Sequence, residues 1–169
     1  FQGGKLSDIQ SQFFKPRTPE ALYDIEKDPY ETKNLASMPE HQNKLLDLRN
    51  ILNDHIINQP DLSFFPEPYF LKNGLENGLD FGQNNKELIQ KLVQTANLSL
   101  QPYIEVKSDI SESLNNENPW VRYWGLITCS SFGIEASEHL EKINYLFIND
   151  SENLVNCLLY TSDAADDVV

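Results

Sequence analysis

Between Lys86 and Ile148, apolar residues recur at spacings of three and four, and this pattern constrains the fold more than any other feature of the chain. Such spacing places apolar side chains along one face of an α-helix. Pro102 suits the start of a helix, Asn116–Pro119 suits a turn, and Gly133 suits a helix end. We therefore predict a mostly α fold. The expected helices cover residues 86–96, 102–114, 120–132 and 136–148.

Two of the turns between these helices resemble each other. Asn116–Val121 aligns with Asp150–Val155 at an offset typical of paired-helix repeats. Pro119–Arg122 resembles the inter-helix signature of HEAT-like repeats. That resemblance implies that the arginine braces the turn, and that the outer faces of the repeats can bind a protein partner. Asn156 stands where the second arginine would fall, so we expect the second repeat to be degenerate.

The first third of the chain predicts a short strand, a turn and a helix. Residues 21–25 carry the apolar and aromatic content of a half-buried strand, and Pro29 breaks it. Ser37 and Glu40 have the spacing of a capping box, so we predict a helix over 39–58. Its single apolar face is expected to contain Leu45, Leu46, Leu48, Ile51, Leu52 and Ile56.

The stretch Arg17–Ala36 carries a specific resemblance to a known family. Within it, Leu22–Ala36 closely resembles the LYDLxxDPxExxNLA signature near the C-terminal end of type I sulfatases, which belong to the alkaline phosphatase superfamily. The preceding residues from Gly4 resemble what bacterial sulfatases carry just upstream, and Asp61–Glu67 resembles the same subgroup. Since Met38 is the only methionine, we expect a C-terminal fragment of a longer sulfatase, with a helical repeat extension.

The family resemblance also implies chemistry. Sulfatases hydrolyse sulfate esters with a formylglycine made in a C/S-x-P-x-R motif, beside a divalent cation that is usually calcium. Cys129 lacks both the proline and the arginine of that motif, so we expect no catalytic, cofactor-binding or metal-binding residue in this chain. Calcium and export, or a periplasmic location, are expected of the parent enzyme. His41, His55 and His139 stand isolated from carboxylates at ligand spacing.

Two weaker candidates come from the same stretch. Arg17 follows an aromatic pair and could contact the edge of a substrate, although packing against the rest of the sulfatase catalytic domain is the favoured interpretation. Glu26, Asp28 and Glu31 cluster at the turn and could hold calcium, but a solvated acidic turn is favoured.

Composition excludes several partners. The net charge of −13 argues against nucleic acid, which requires clustered lysine and arginine. No apolar run reaches the length of a membrane span, so we expect no membrane partner. Cys129 and Cys157 are interpreted as buried free thiols, with a disulfide left open.

Four segments follow from these patterns. Residues 1–59 form the end of a sulfatase C-terminal subdomain, 60–85 an ordered connector, 86–158 the HEAT-like helical repeats and 159–169 a non-native tail. The leading functional hypothesis is a non-catalytic part of a sulfatase that supports its catalytic domain. A helical-repeat interaction module is the alternative, and the aromatic residues of 64–81 leave a carbohydrate-binding platform as a third hypothesis.

Overall fold

The computed structural model describes residues 6–15 and 18–156, and they are mostly helical, which confirms the predicted fold class. The contacts divide the chain into two compact units, residues 1–52 and 53–169. The division into segments predicted from the sequence stays a prediction. The α-helices are α1 (Asp8–Ser11), α2 (Gln42–Asn58), α3 (Glu67–Asn73), α4 (Gly78–Asn84), α5 (Lys86–Asn97), α6 (Tyr103–Leu114), α7 (Pro119–Phe132) and α8 (Leu140–Asn149). Short 3₁₀ helices cover Gln12–Phe14, Pro39–His41, Leu62–Phe64, Leu98–Leu100 and Gly133–His139.

The strand predicted over residues 21–25 is wrong. Residues 21–24 have irregular backbone and residues 25–27 form a turn. A strand needs a neighbouring backbone along its whole length. Here the Leu22 carbonyl accepts a hydrogen bond from the Leu35 backbone at 2.8 Å, while the Leu22 amide donates to the Asn34 side chain. Leu22 is therefore joined to the neighbouring segment by these bonds, but the series of backbone hydrogen bonds that defines a β-ladder does not form over residues 21–25.

The helix predicted over 39–58 is confirmed, but its start differs from the prediction. The chain enters through a 3₁₀ turn at Pro39–His41, whose N-cap position is Met38 rather than Ser37, and no side chain caps it. The Gln42 side chain instead donates to the Ala36 carbonyl at 2.6 Å. The predicted capping box therefore does not form, and the Gln42 bond ties the first residue of α2 to the preceding loop through a carbonyl.

The predicted apolar face of α2 is only partly buried. Leu45 is buried, and Ile56 is half-buried in the second unit. Leu48 and Leu52 follow Leu45 by three and seven residues and so lie on the same side of the helix, yet both are exposed, as is Ile51.

In the second unit, α5, α6 and α7 pack against one another. The Thr128 hydroxyl of α7 donates to the Thr95 carbonyl of α5 at 3.0 Å, and both residues are buried. A Cβ added at Gly125 would lie 3.2 Å from the Ser113 Cβ, so the missing side chain allows α6 and α7 to approach closely. The buried core residues around α6, α7 and α8 are Val106, Ile110, Leu114, Leu126, Cys129, Ala136, Ile143, Leu146 and Val155.

The helix predicted over 136–148 begins later than the sequence predicts. Residues Gly133–His139 form a 3₁₀ helix, and α8 starts at Leu140 rather than Ala136. Gly133 has φ of 54°, a conformation that L residues rarely adopt, and it ends α7 as predicted. Among the described residues, no helix is long and apolar enough to cross a membrane.

Candidate functional site

The turn that carries the sulfatase resemblance is organised by the Asn34 side chain. Its Oδ1 atom accepts hydrogen bonds from the Leu22 amide at 3.0 Å and the Ala36 amide at 2.9 Å. Its Nδ2 atom donates to the Thr18 hydroxyl at 3.4 Å. A single amide group therefore holds the two ends of the turn together, and Leu35 beside it is buried. Asparagine suits this position because its side chain both donates and accepts.

Asp28 fixes the tip of the same turn. Its carboxylate accepts from the Thr32 amide at 2.8 Å, the Thr32 hydroxyl at 2.9 Å and the Lys33 amide at 2.8 Å. The backbone hydrogen bond from Lys33 is the largest cause that lowers the pKa of Asp28 below 3.8, and the Thr32 donors add to it. Glu31 has φ of 53°, which lets the chain reverse between Asp28 and its donors.

These hydrogen bonds show what the acidic residues of the turn, which were candidates for calcium binding, contact in the structure. The Asp28 carboxylate is committed to N–H and O–H donors of its own turn, and Asp24 pairs with Lys27 at 2.8 Å. In the described part of the chain, no three His, Cys, Asp or Glu side chains form a group that could hold a metal ion. Arg17, the candidate substrate contact, lies outside the described residues.

A second polar constellation joins α7 to the turn after α8. The Nε atom of Arg122 donates to one oxygen of Asp150 at 2.6 Å, and its Nη2 atom donates to the other at 2.7 Å. The Asp150 side chain is fully buried and that of Arg122 is 11% exposed. Burial is the largest influence on the pKa of Asp150 and raises it, yet the hydrogen bonds from Arg122 and Glu152 outweigh it. The pKa therefore lies below 3.8.

Arg122 also braces its own turn. Its Nη1 atom donates to the carbonyls of Asn116 and Glu117 at 2.8 and 2.9 Å. The guanidinium thus connects one turn, through backbone carbonyls, to the next turn, through Asp150. This fork-shaped group supplies donors in two directions at once, which a lysine would not do.

The two turns share the same hydrogen-bond frame. Asn116 Oδ1 accepts from the Asn118 amide at 3.0 Å, and Asp150 Oδ1 accepts from the Glu152 amide at 2.9 Å. Six residues after each turn begins, a side chain donates to its first carbonyl. In the first turn this is Arg122, and in the second it is Asn156, whose Nδ2 lies 3.4 Å from the Asp150 carbonyl. Within the described chain, Asn156 Oδ1 is buried and makes no hydrogen bond.

Cys129 is a free thiol in the core. Burial raises its pKa to about 12, so the sulfur is protonated at neutral pH and is not a nucleophile. Its predicted neighbour in a possible disulfide, Cys157, lies outside the described residues, as does the predicted non-native tail of 159–169.

An open cleft of about 420 Å³ lies beside α8, and the buried His139 borders it. Glu138 accepts a hydrogen bond from the Tyr103 hydroxyl at 2.5 Å and lies 3.7 Å from Lys107. Burial and this carboxylate raise the pKa of Tyr103. The Glu138 carboxylate at this cleft is therefore held by Tyr103 and Lys107.

The aromatic residues proposed as a carbohydrate platform face inward instead. Phe65 is buried and contacts Tyr69 and Phe81, with ring centroids 5.5 and 5.3 Å apart. The Trp124 indole nitrogen donates to the Phe64 carbonyl at 2.8 Å. These rings form the core between the predicted connector and α7, so they do not present a flat exposed surface.

Sequence reasoning found the brace at Arg122 but missed its acidic partner Asp150. Alignment of the two turns paired Asp150 with Asn116, and nothing in the sequence showed that Asp150 would face the preceding turn. The roles of Asn34 and Asp28 were missed as well, although Asn and Asp beside turns commonly accept backbone hydrogen bonds.

Comparison with known proteins relates the chain to a sulfatase. The relative is the ulvan-active sulfatase of Formosa agariphila, and the two are 38% identical over 116 residues. That match covers 68% of this chain and 16% of the relative, so the chain spans a small part of the sulfatase that it resembles. No protein-family profile matches the chain. No solved structure is significantly similar to it.

Proposed function

We propose that this chain is a non-catalytic, C-terminal part of a type I sulfatase that supports the catalytic domain. The observation that carries the proposal is the 38% identity to an ulvan-active sulfatase over 68% of the chain. The resemblance of Leu22–Ala36 to the sulfatase signature supports it, because Asp28, Asn34 and Leu35 act in the structure as turn-forming and core residues. Such roles suit a scaffold.

In this proposal the sulfate ester is cleaved by residues outside the chain. The calcium ion and the formylglycine belong to that catalytic domain, and no step is assigned to residues described here. Ulvan is the first substrate to test, because the relative is named for activity on it. A bacterial source and an exported or periplasmic parent belong to the same proposal.

The test compares the 169-residue chain with the product of the complete reading frame. We expect a C/S-x-P-x-R motif upstream, and release of sulfate from ulvan by the complete protein. The chain alone should release none, with or without added calcium. Metal-dependent turnover by the purified 169-residue chain would contradict the proposal, and so would a complete reading frame without the motif.

A second candidate function is favoured by the repeated turns. The shared hydrogen bonds at Asn116 and Asp150, joined through Arg122, support a HEAT-like array that binds a protein partner. Deleting residues 86–169 from the complete protein separates the two functions. A supporting role predicts loss of thermal stability and sulfatase activity, whereas an interaction module predicts that both are retained.

A further inference from the structure

Two Asn-Gly pairs follow each other closely in the second unit, at Asn73–Gly74 and at Asn77–Gly78. Asparagine is chemically labile, and most of all before glycine, because glycine has no side chain to shield its backbone nitrogen from the asparagine side chain. The two pairs are identical as dipeptides, so a difference in their reactivity must come from the surrounding structure. Both asparagines are exposed, but the two glycine amides differ.

The first pair is held at the end of α3. The Gly74 amide donates to the Phe70 carbonyl at 2.7 Å, and the Asn73 side chain donates to the Tyr69 carbonyl at 2.8 Å. Gly74 is buried, and a Cβ added there would lie 2.9 Å from the Phe81 ring. The backbone nitrogen and the side chain of this pair are therefore both committed to the helix.

The second pair has a backbone nitrogen without an acceptor. Gly78 is the first residue of α4, and the first amides of a helix have no partner within it. Among residues 6–15 and 18–156, the Gly78 amide meets no backbone or side-chain acceptor. The restraint on this pair is the Asn77 side chain, whose Oδ1 accepts from the Asp80 amide at 3.2 Å and whose Nδ2 donates to the Asp80 carboxylate at 2.5 Å.

We propose that Asn77 is a site of spontaneous deamidation and that Asn73 is protected from it. The Gly78 amide loses its proton to hydroxide, and its nitrogen forms a bond to the side-chain carbonyl carbon of Asn77. The bond from that carbon to Nδ2 breaks, Nδ2 takes up a proton and leaves as ammonia, and a cyclic succinimide remains. Water then opens the ring at either carbonyl and gives aspartate or isoaspartate. The net reaction consumes one water and releases one ammonia.

The side-chain restraint at Asn77 opens more readily than the helix end at Asn73. The bonds between Asn77 and Asp80 are exposed, so water replaces them when the side chain turns toward Gly78. Reaction at Asn73 also requires the Gly74 amide to leave its acceptor in α3 and become exposed. Loss of one such backbone bond lowers the reactive population by up to about tenfold, and the burial of Gly74 adds to this. We therefore expect Asn77 to convert at least about tenfold faster than Asn73.

Either product changes the start of α4. Aspartate places a second carboxylate where Asn77 Nδ2 donates to Asp80. Isoaspartate carries the main chain through the former side-chain carbon, and the Asp80 amide then loses its acceptor. Phe81 follows directly and contacts the buried Phe65, with ring centroids 5.3 Å apart. The modified residue therefore lies close along the chain to the aromatic core.

Peptide mapping of the aged 169-residue chain tests the proposal. Trypsin cleaves after Lys72 and Lys86, so one peptide carries both pairs, and fragmentation of that peptide assigns the gain in mass to one residue. The chain is incubated at mildly alkaline pH in its native state, verified by circular dichroism, and in parallel in urea. In urea Asn73 and Asn77 should convert at similar rates, because the helices around them are lost. In the native state Asn77 should convert and Asn73 should remain.

Two variants accompany the measurement. Asn77→Ser keeps a capping oxygen for the Asp80 amide but has no amide to lose, so this position should show no gain in mass. Gly78→Ala restores a side chain beside the attacking nitrogen, and its Cβ would make an ordinary contact at 3.4 Å with the Leu62 side chain. Gly78→Ala should slow the conversion of Asn77 at least about fivefold, because alanine has less conformational freedom.

Each result decides the proposal. Conversion confined to Asn77 in the native state, and slowed by Gly78→Ala, supports it. Native conversion of Asn73 as fast as that of Asn77 overturns it, because the structure would then make no difference. An Asn77 that stays intact in the native state, over a period in which both residues convert in urea, overturns it as well. None of these results depends on sulfatase activity, so the proposed function is tested separately.

Discussion

Replacing Arg122 by alanine should destabilise the second unit more than any other single charge removal that the structure suggests. The guanidinium makes two short bonds to a fully buried carboxylate and two more to the carbonyls of Asn116 and Glu117. Breaking a buried ion pair by removing one partner costs about 3–5 kcal/mol, because the remaining charge is left without compensation. Since Arg122 lies near solvent, at 11% exposure, we expect about 3 kcal/mol.

Urea denaturation followed by tryptophan fluorescence measures this loss. Both tryptophans, Trp120 and Trp124, lie in the second unit, so the signal reports that unit. With a denaturant slope of about 2 kcal/mol per M, the midpoint should fall by about 1.5 M. Arg122→Lys should recover only part of the loss, because an ammonium group does not reproduce the forked contact with Asp150.

The pH dependence separates the ion pair from a simple loss of packing. The folded-state pKa of Asp150 is lowered, so its contribution is present above the unfolded pKa and is lost as the pH falls through the folded value. In Arg122→Ala, the hydrogen bonds from Arg122 are lost while that from the Glu152 amide remains, so burial is opposed less and the pKa of Asp150 should rise. The loss of stability of the variant relative to the wild type should therefore be largest near pH 7 and shrink below about pH 4.

In a double-mutant cycle, Arg122→Ala with Asp150→Asn should cost less than the sum of the single changes. A deficit below about 1 kcal/mol, or one that is independent of pH, would refute the reasoning.

Three further substitutions test other features. Gly133→Ala should cost about 1–3 kcal/mol in the same urea assay, because φ of 54° with ψ of −126° is a backbone conformation that L residues rarely adopt. Beyond the adjoining residues nothing lies within 4 Å of the new Cβ, so the cost is conformational. Thr128→Val should cost about 1 kcal/mol by removing one of the two donors to the Thr95 carbonyl, which keeps the Leu98 amide, while Thr128→Ser should retain most of that stability. Glu31→Gly should be neutral or stabilise the first turn by up to about 1 kcal/mol, since glycine adopts a φ of 53° without strain. Slower amide exchange at Thr32 would show that gain, and faster exchange would count against the assigned backbone geometry.

The parts of the fold that follow local rules were predictable. Helical spacing placed α5, α6 and α7 almost to the residue, and Gly133 was correctly predicted as a helix end. The strand at residues 21–25 was not, because β propensity describes a side chain that fits a sheet and does not supply the neighbouring strand. Asn34 takes the place of that neighbour, which only the folded chain shows.

The faces of α2 illustrate the same limit. Leu45 and Leu52 fit one apolar pattern in the sequence, yet only Leu45 is buried. Periodicity identifies which positions could face a core, but the amount of surface available to cover them depends on the rest of the fold. The candidate site shows this too, because Asp150 meets Arg122 across 28 residues of chain.

The shared frame of the two turns bears on how proteins of this architecture change in length. Each turn has an internal hydrogen bond to the side-chain oxygen of its own Asn116 or Asp150, and Arg122 links the two turns. In the HEAT-like array proposed above, a gene duplication that copies a helix pair would copy this internal bond with it and require a compatible contact at the junction. Gain or loss of whole pairs would then leave these hydrogen bonds intact, whereas an insertion between Asp150 and Glu152 would break one of them.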